Sequence, residues 1–189
     1  MSVVKRLPTE SKPNGMANAT PFRKVYVVNT LGKAVSIIDV DKDEIVKVLR
    51  FNSETGTPGY DAVAKKIYVT LRSTNEVAEI DPSTDRVIDR YSVEGCVSDH
   101  GMAVDSEHHR AFLLCGGSHN LTVFALDRHK AIAHFSIPAG ADVIKCDDKN
   151  GGRTRPVRAA PSLSCRKTTP NTSGRSRTFQ SRGWCTALR

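Results

Sequence analysis

The sequence predicts an all-β fold built from a repeated unit of short strands. Three segments, which begin at Val25, Ile67 and Ala111, lie 42 and 44 residues apart and share one internal spacing. In each segment a second strand begins ten residues after the first, and a third begins twenty after it. The apolar residues alternate with period 2 and are rich in Val and Ile, which is typical of strands and argues against a helical solenoid.

The aligned columns share chemistry as well as spacing. The first strand carries an aromatic residue at the same position in each copy, at Tyr26, Tyr68 and Phe112. Asp39 and Asp81 end the second strand of their copies, where a short acidic side chain can hydrogen-bond to the backbone of a turn. The repeat therefore extends to the turns between the strands.

A fourth strand accompanies each set of three. It reads TPGYDAVA at 57–64 and GMAVDSE at 101–107, and ADVIKCDD at 141–148 opens a further unit. Four short strands in roughly 42 residues is the size of one β-propeller blade. The sequence thus predicts about three blades of four antiparallel strands in residues 24–150, an incomplete ring, after an irregular segment at 1–23. A β-sandwich whose hairpins look alike by chance is the alternative.

The opening of the second copy resembles a known repeat. IYVT at Ile67–Thr70, followed by STNEVAEID and PSTDRVI, is similar to the YVTN-type β-propeller repeat, and VYVVNT at Val25–Thr30 with AVSIIDV is equally similar. The resemblance covers about residues 24–150. It implies a seven-bladed ring of the kind found in binding proteins, surface proteins, quinoprotein amine dehydrogenase β-chains and lactonase-like enzymes. Such a ring needs about 300 residues at this repeat length, so three blades cannot close it.

The positive charge of the chain is concentrated in residues 151–189, which hold nine Lys and Arg and no acidic residue. Residues 1–150 carry 19 Lys and Arg against 20 Asp and Glu, so the blades give no reason to expect nucleic-acid binding. The tail is rich in Arg, Ser, Thr and Pro, which predicts disorder. It is interpreted as a basic tail that binds anions or nucleic acid, as a linker or targeting segment, or as an out-of-frame translation. We prefer the last, because it explains the loss of acids, the excess of Arg and the missing blades together.

Cysteine usage and hydropathy set expectations for cofactors and location. The five cysteines are odd in number and lack C-x-x-C spacing, which predicts neither a zinc site nor a disulfide framework, and Cys115 and Cys146 are expected to be core thiols. No run of 18 apolar residues predicts a membrane span, and the N-terminus shows no apolar signal region. A reduced, cytoplasmic setting is the default expectation, and a periplasmic or secreted location is the alternative if the N-terminus is misassigned.

The candidate ligand site is the mouth of the central channel. By repeat register His100 and Asp142 occupy equivalent positions, and Asp99 precedes His100. A histidine and two carboxylates around one mouth could bind a divalent cation or act as acid and base, and the resemblance implies such a cluster in lactonase-like propellers. The competing interpretation is that all three residues cap strand ends. His108 and His109 are expected in a solvated turn, because adjacent strand residues point to opposite faces.

These observations predict a non-enzymatic scaffold that binds an unknown small molecule or protein, without an assigned catalytic residue, metal or cofactor. The second hypothesis is a lactonase-like, metal-dependent hydrolase that uses Asp99, His100 and Asp142. The third is nucleic-acid binding through the basic tail. The open faces of an incomplete ring expose apolar surface and sheet edges, so self-association through them is also expected.

Overall fold

The computed structural model describes residues 3–141, 143–146, 162–165 and 185–188. These residues form four β-sheets and one 3-10 turn, Thr20–Phe22. The first three sheets each contain four antiparallel strands in sequential order, which confirms the predicted all-β fold and its three four-stranded units. We call these sheets blades 1, 2 and 3. Within the described residues, no helix is long and apolar enough to cross a membrane.

The strand boundaries repeat from blade to blade. Blade 1 contains β1 Pro13–Ala19, β2 Lys24–Asn29, β3 Ala34–Asp39 and β4 Glu44–Arg50. Blade 2 contains β5 Thr55–Asp61, β6 Lys66–Leu71, β7 Glu76–Asp81 and β8 Arg86–Ser92. Blade 3 contains β9 Asp99–Asp105, β10 Arg110–Cys115, β11 Asn120–Ala125 and β12 Lys130–Ser136. The fourth sheet contains β13 Val143–Cys146, β14 Ser162–Cys165 and β15 Cys185–Leu188, with β13 parallel to β14. The remainder of 151–189, for which disorder was expected, lies outside the described residues.

The first strand of each sheet lies next to the first strand of the following sheet, so β1, β5, β9 and β13 form the inner row. β1 lies within the segment 1–23 that the sequence predicted to be irregular. Its residues, PNGMANA, include no β-branched or aromatic side chain, so propensity alone gives no strand signal there. Antiparallel pairing with β2 over Gly15 to Ala19 specifies the strand instead.

Left-handed backbone conformations mark the repeat at the level of single residues. In each blade the turn between the second and third of its four strands (β2 and β3, β6 and β7, β10 and β11) has a left-handed residue. These residues are Lys33, Asn75 and His119, with φ of 49°, 56° and 49°. The turn between the first and second strands likewise places Arg23, Lys65 and His109 at positive φ. Non-glycine residues seldom adopt this region, so its recurrence at fixed spacing shows that the turns share one conformation.

The blades pack face to face through three successive apolar cores. Tyr26 and Val28 of blade 1 pack in one cluster with Ile67 and Val69 of blade 2, and all four side chains are fully buried. The second core lies between blades 2 and 3, where Phe124 is fully buried, and the third lies between blade 3 and β13. Truncating a buried side chain such as Ile67 to Ala should cost roughly 2–5 kcal/mol.

Polar contacts join blades 1 and 2 beside their apolar core. Asp85, in the last turn of blade 2, accepts hydrogen bonds from Lys24 Nζ at 2.7 Å and from the Tyr26 hydroxyl at 2.8 Å. Burial, reinforced by Asp85, raises the pKa of Tyr26 well above its usual value. The side chain of Asp85 therefore reaches back from blade 2 to the preceding blade.

In blade 3 the repeat position of Asp85 is occupied by His129. His129 contacts the preceding blade by ring stacking and does not accept hydrogen bonds there as Asp85 does. The His129 ring stacks on Tyr91 of blade 2 with centroids 3.8 Å apart, and its Nε2 lies 3.7 Å from Glu79 Oε2. Burial and a hydrogen bond to Glu79 raise the pKa of Tyr91 to about 12. The same repeat position thus carries an anion at one blade junction and a histidine at the next.

The structure contains a disulfide that the sequence analysis did not predict. Cys96, in the loop before β9, is bonded to Cys115 at the end of β10, with Cα atoms 5.2 Å apart. Cys115 is fully buried, as expected for a core residue, but it is not a thiol. The expectation failed because 19 residues separate the pair, and only the folding of β10 against β9 brings the loop over the strand end.

Candidate functional site

The inner strands all begin at one end of the molecule, which we call the channel mouth. Pro13, Thr55 and Asp99 are the first residues of β1, β5 and β9 and occupy the same repeat position. The loop before each inner strand is fixed by the turn between the second and third strands of the same blade. In blade 2, for example, the Arg72 amide donates to the Glu54 carbonyl at 2.9 Å. The first residue of each inner strand is therefore held by a repeated backbone arrangement.

Asp99 is the charged member of this row, and it is completely buried. Neither of its carboxylate oxygens has a hydrogen-bond partner among the residues that the structure describes. Burial raises the pKa of the Asp99 carboxyl to about 7, although its own backbone amide and the positive charge of Arg72 oppose the shift. An unsatisfied buried carboxylate is costly, so Asp99 destabilises the fold where it stands.

Arg72, whose positive charge acts on Asp99, is itself paired with Glu54. Arg72 lies in the turn after β6, and its Nη1 is 3.4 Å from Glu54 Oε2. Its Nε is buried and has no hydrogen-bond partner within the described part of the chain. Asp99 and Arg72 thus both keep buried polar atoms without a partner among the described residues.

The structure tests only part of the predicted cluster of Asp99, His100 and Asp142. Gly101 lies opposite Leu114 and Asp99 opposite Cys115, so His100 is the extra residue of a β-bulge at the start of β9. A bulge inserts one extra residue into a strand and bends the strand locally. Asp142 lies outside the described residues. Proximity of the three side chains therefore stays a prediction, with Asp99 placed at the mouth.

The opposite end of the inner strands carries a separate set of polar residues. Asp61 ends β5 fully buried, and its Oδ1 accepts hydrogen bonds from the amides of Val63 and Ala64. Its Oδ2 lies 3.1 Å from His109 Nδ1 of blade 3. The prediction of a turn at His109 is right, but the expectation that this side chain is merely solvated is wrong, because it bridges two blades.

A group of three possible metal ligands also lies at this opposite end. Asp105, Glu107 and His108 bring one ligand atom each to within 4.8 Å of one another. His108 Nδ1 is 2.9 Å from Asp105 Oδ2, which is an ordinary arrangement for a polar turn. This group is far along the strand from Asp99, so it adds nothing to a site at the channel mouth.

The sequence pattern did not single out Arg72 and Glu54 as candidate site residues. Arg72 occupies the repeat position of Thr30 and Gly116, so it is a charged residue in a column of small ones. Glu54 similarly stands in the column of Lys12 and Ser98. Departures of this kind from the repeat are a usable signal, because a residue that the common fold does not require calls for a separate explanation.

Solved structures resemble the chain, although no protein-family model matches its sequence and no curated protein is similar to it. A chain of Kuenenia stuttgartiensis hydrazine synthase superposes with a TM-score of 0.63 at 12% identity, over 76% of this chain and 41% of that chain. A functionally unknown protein from Desulfotomaculum acetoxidans DSM 771 superposes with a TM-score of 0.58 at 15% identity, over 71% of this chain and 46% of that chain.

Such identities show the fold alone. The repeated four-stranded sheets are β-propeller-like, and the chain spans less than half of either similar structure. The activity after which hydrazine synthase is named belongs to that protein. What this chain binds has to be argued from its own residues.

Proposed function

We propose that this chain is a YVTN-type β-propeller segment that acts as a binding scaffold, with its ligand site at the channel mouth around Asp99. The observation that carries the proposal is the buried carboxylate of Asp99, which lacks a hydrogen-bond partner among the described residues. The repeat does not require an acid there, because the equivalent positions hold Pro13 and Thr55. A residue that costs stability without a structural role is a candidate for function.

The chemistry of the mouth restricts the ligand. A carboxylate with two unpaired oxygens accepts hydrogen bonds and favours positive charge, so the ligand should carry an ammonium, a hydroxyl or a bound cation. Arg72 acts on Asp99 through its charge, and its unpartnered Nε can donate to a second polar group of the same molecule. The site thus fits a small polar molecule with at least one cationic or hydrogen-bond-donating group.

Thermal unfolding with added ligands tests this proposal. The unfolding midpoint of the wild type and of Asp99→Asn is measured with divalent cations (Ca²⁺, Mn²⁺, Zn²⁺), with primary amines and with polyols. We expect one of these classes to raise the wild-type midpoint, because a ligand at 100 times its Kd adds about 2.7 kcal/mol of stability. The shift should be lost in Asp99→Asn.

Asp127→Asn is the matched control, because Asp127 is exposed in a turn at the other end of blade 3. It should respond to ligand as the wild type does. Failure of all three classes to stabilise the wild type, or an equal shift in Asp99→Asn, would overturn the proposal.

The lactonase-like hydrolase remains the second hypothesis, and the divalent-cation arm decides it. A metal-dependent site needs several ligands around one ion. Among the described residues the mouth supplies Asp99, while His100 and Asp142 contribute only by prediction. If divalent cations alone stabilise the protein through Asp99, ester and lactone hydrolysis by the metal-loaded chain becomes the next assay.

The disulfide bears on location. Disulfides persist in oxidising compartments and are rare in the cytosol. The Cys96–Cys115 bond therefore supports the alternative of a periplasmic or secreted protein over the cytoplasmic default. Thiol labelling of Cys96 and Cys115 in protein that is trapped directly from cells and then unfolded tests this, since a cytoplasmic chain would label at both residues.

A further inference from the structure

Three residues at the mouth end of blades 2 and 3 carry buried polar atoms that the described fold does not use. The Thr70 hydroxyl, the Arg72 Nε and both carboxylate oxygens of Asp99 have no hydrogen-bond partner among the residues that the structure describes. Thr70 and Asp99 are completely buried. We call Thr70, Arg72 and Asp99 the junction cluster.

Strand register places the junction cluster between blades 2 and 3. Thr70 pairs with Val77 and Asp99 pairs with Cys115, and residues that are paired across antiparallel strands share a face of the sheet. Val77 and Cys115 both belong to the apolar core between these two blades. The positive charge of Arg72 acts on Asp99. Thr70 and Asp99 therefore approach the same junction from opposite sides, with Arg72 beside them.

The equivalent positions at the two neighbouring junctions are uncharged. They are Val28, Thr30 and Thr55 between blades 1 and 2, and Leu114, Gly116 and Ala141 between blade 3 and β13. The Thr55 hydroxyl donates to the Ala34 carbonyl at 3.3 Å, whereas the Thr30 hydroxyl has no partner in the described part of the chain. The repeat thus packs without a carboxylate and a guanidinium at these positions, so their presence between blades 2 and 3 calls for a separate explanation.

The junction cluster combines hydrogen-bond acceptors with donors. The Asp99 carboxylate accepts hydrogen bonds, the Arg72 Nε–H donates one, and the Thr70 hydroxyl does both. A ligand hydroxyl also donates and accepts, so two neighbouring hydroxyls can bond to the carboxylate and the guanidinium together. A metal ion or an ammonium would pair with Asp99 but would be repelled by the positive charge of Arg72. These charges favour a neutral ligand that bears neighbouring hydroxyls.

We propose that the junction cluster binds a sugar through two neighbouring hydroxyls, with Thr70 as a ligand-binding residue beside Asp99 and Arg72. This inference rests on the proposed ligand site at Asp99, and it narrows the ligand class and adds a residue to the site. One sugar hydroxyl donates to Asp99, and the other accepts from the Arg72 Nε. The Thr70 hydroxyl bonds to either of them, so the ligand supplies a partner to each residue of the cluster.

Arg72 marks the route by which a sugar reaches the buried part of the cluster. Its side chain is 30% exposed, whereas Thr70 and Asp99 are completely buried. The described salt bridge of its guanidinium is the one to Glu54, at 3.4 Å, and the Glu54 side chain is 36% exposed. Ion pairs that are open to solvent contribute little, so displacement of the Arg72 side chain is a low-cost way to open the junction.

The Thr70→Val variant tests the cluster in the absence of ligand. Valine is close to threonine in size but has no hydroxyl, and it is the residue at the equivalent position, Val28. We expect the variant to unfold at a higher temperature than the wild type, because it removes a buried hydroxyl that has no partner among the described residues. A lower unfolding midpoint would show that the hydroxyl supports the fold and would overturn the proposal.

Thermal unfolding of the full chain with D-ribose, D-glucose and D-galactose tests the ligand class. The sugars are used at millimolar concentration, well below that at which excluded sugars stabilise proteins in general. We expect at least one of them to raise the midpoint of the wild type. The shift should be lost in Thr70→Val and in Asp99→Asn.

Thr55→Val is the matched control. Thr55 is as fully buried as Thr70, but it lies at the junction of blades 1 and 2 and its hydroxyl donates to Ala34. This variant should unfold at a lower temperature than the wild type and should keep the response to sugar.

The outcomes separate this inference from the proposed function on which it rests. A sugar shift that persists in Thr70→Val, or a wild type that responds to amines or divalent cations but not to sugars, would overturn the inference and leave a ligand site at Asp99. If no class of ligand stabilises the wild type, the proposed function and this inference are both wrong.

Discussion

At the residue scale, two buried or partly buried acidic residues, Asp99 and Asp85, differ in whether the fold supplies them with partners. Asp99 is a buried acid where the equivalent positions are Pro13 and Thr55, and no contact in the described chain explains it. Asp85 is also an acid near a blade junction, but Lys24 and Tyr26 satisfy it. The first costs stability and the second adds to it, although both belong to the same residue type.

Asp85→Asn should destabilise the protein. It removes the charge that pairs with Lys24, which is only 18% exposed, and weakens the bond from the Tyr26 hydroxyl. Hydrogen bonds to charged groups contribute about 1.5–3 kcal/mol, so we expect a loss of about 2 kcal/mol in the free energy of unfolding, measured with urea.

Asp43→Asn is the internal reference for this change. Asp43 occupies the position of Asp85 in blade 1 and also has a left-handed backbone, but it is exposed and the described chain places no preceding blade beside it. Its replacement should change stability by less than about 0.5 kcal/mol. Equal effects of the two substitutions would contradict a role for Asp85 in joining blades.

At the scale of strands and loops, the sequence predicts what is periodic and misses what is not. The three four-stranded units follow from apolar alternation and constant spacing, both of which are local signals. β1 was missed because PNGMANA has no strand-forming composition and is specified by its pairing with β2. The Cys96–Cys115 bond and the Asp61–His109 contact were missed because they join segments that only the stacking of strands and blades brings together.

The candidate site was predictable only in part, for the same reason. Repeat register predicted a site at the start of the inner strands and singled out Asp99 as one of three candidates. It could not show that Asp99 is fully buried, because burial depends on how blades 2 and 3 pack. Arg72 and Glu54 stand on different loops, and their approach to one another is a property of the folded mouth.

Reduction of the disulfide should destabilise blade 3 and the loop that carries Asp99. The bond closes a loop of 19 residues, for which a stabilisation of about 3 kcal/mol is expected. We expect dithiothreitol to lower the unfolding free energy of the wild type by about this amount. The double variant Cys96→Ser, Cys115→Ser should show no response to the reductant, and a wild type that is equally indifferent would show that the bond does not form.

At the scale of the whole molecule, stability comes from the contacts between neighbouring blades. Each internal face of blades 1, 2 and 3 is covered by apolar side chains of the next sheet. Repeat arrays gain stability from each interface between neighbouring units.

The titration of Asp99 affects the stability of the whole fold in a defined direction. Folding raises the pKa of the Asp99 carboxyl from near 4 to about 7. Its contribution to the free energy of unfolding is therefore fully present below pH 4 and is lost as the pH rises through about 7. A shift of this size corresponds to an effect on the order of 4 kcal/mol. Asn at this position has similar size and no charge, so it should remove the pH dependence that Asp99 causes.

The most direct test of a functional Asp99 is the unfolding free energy of the wild type and Asp99→Asn at pH 4 and pH 7.5, without ligand. We expect Asp99→Asn to be more stable than the wild type by about 4 kcal/mol at pH 7.5, and the two proteins to be nearly equal at pH 4. That result would show that the chain retains an acid at the channel mouth at the expense of its own stability. If Asp99→Asn is instead less stable than the wild type at both pH values, Asp99 supports the fold and the proposed ligand site is wrong.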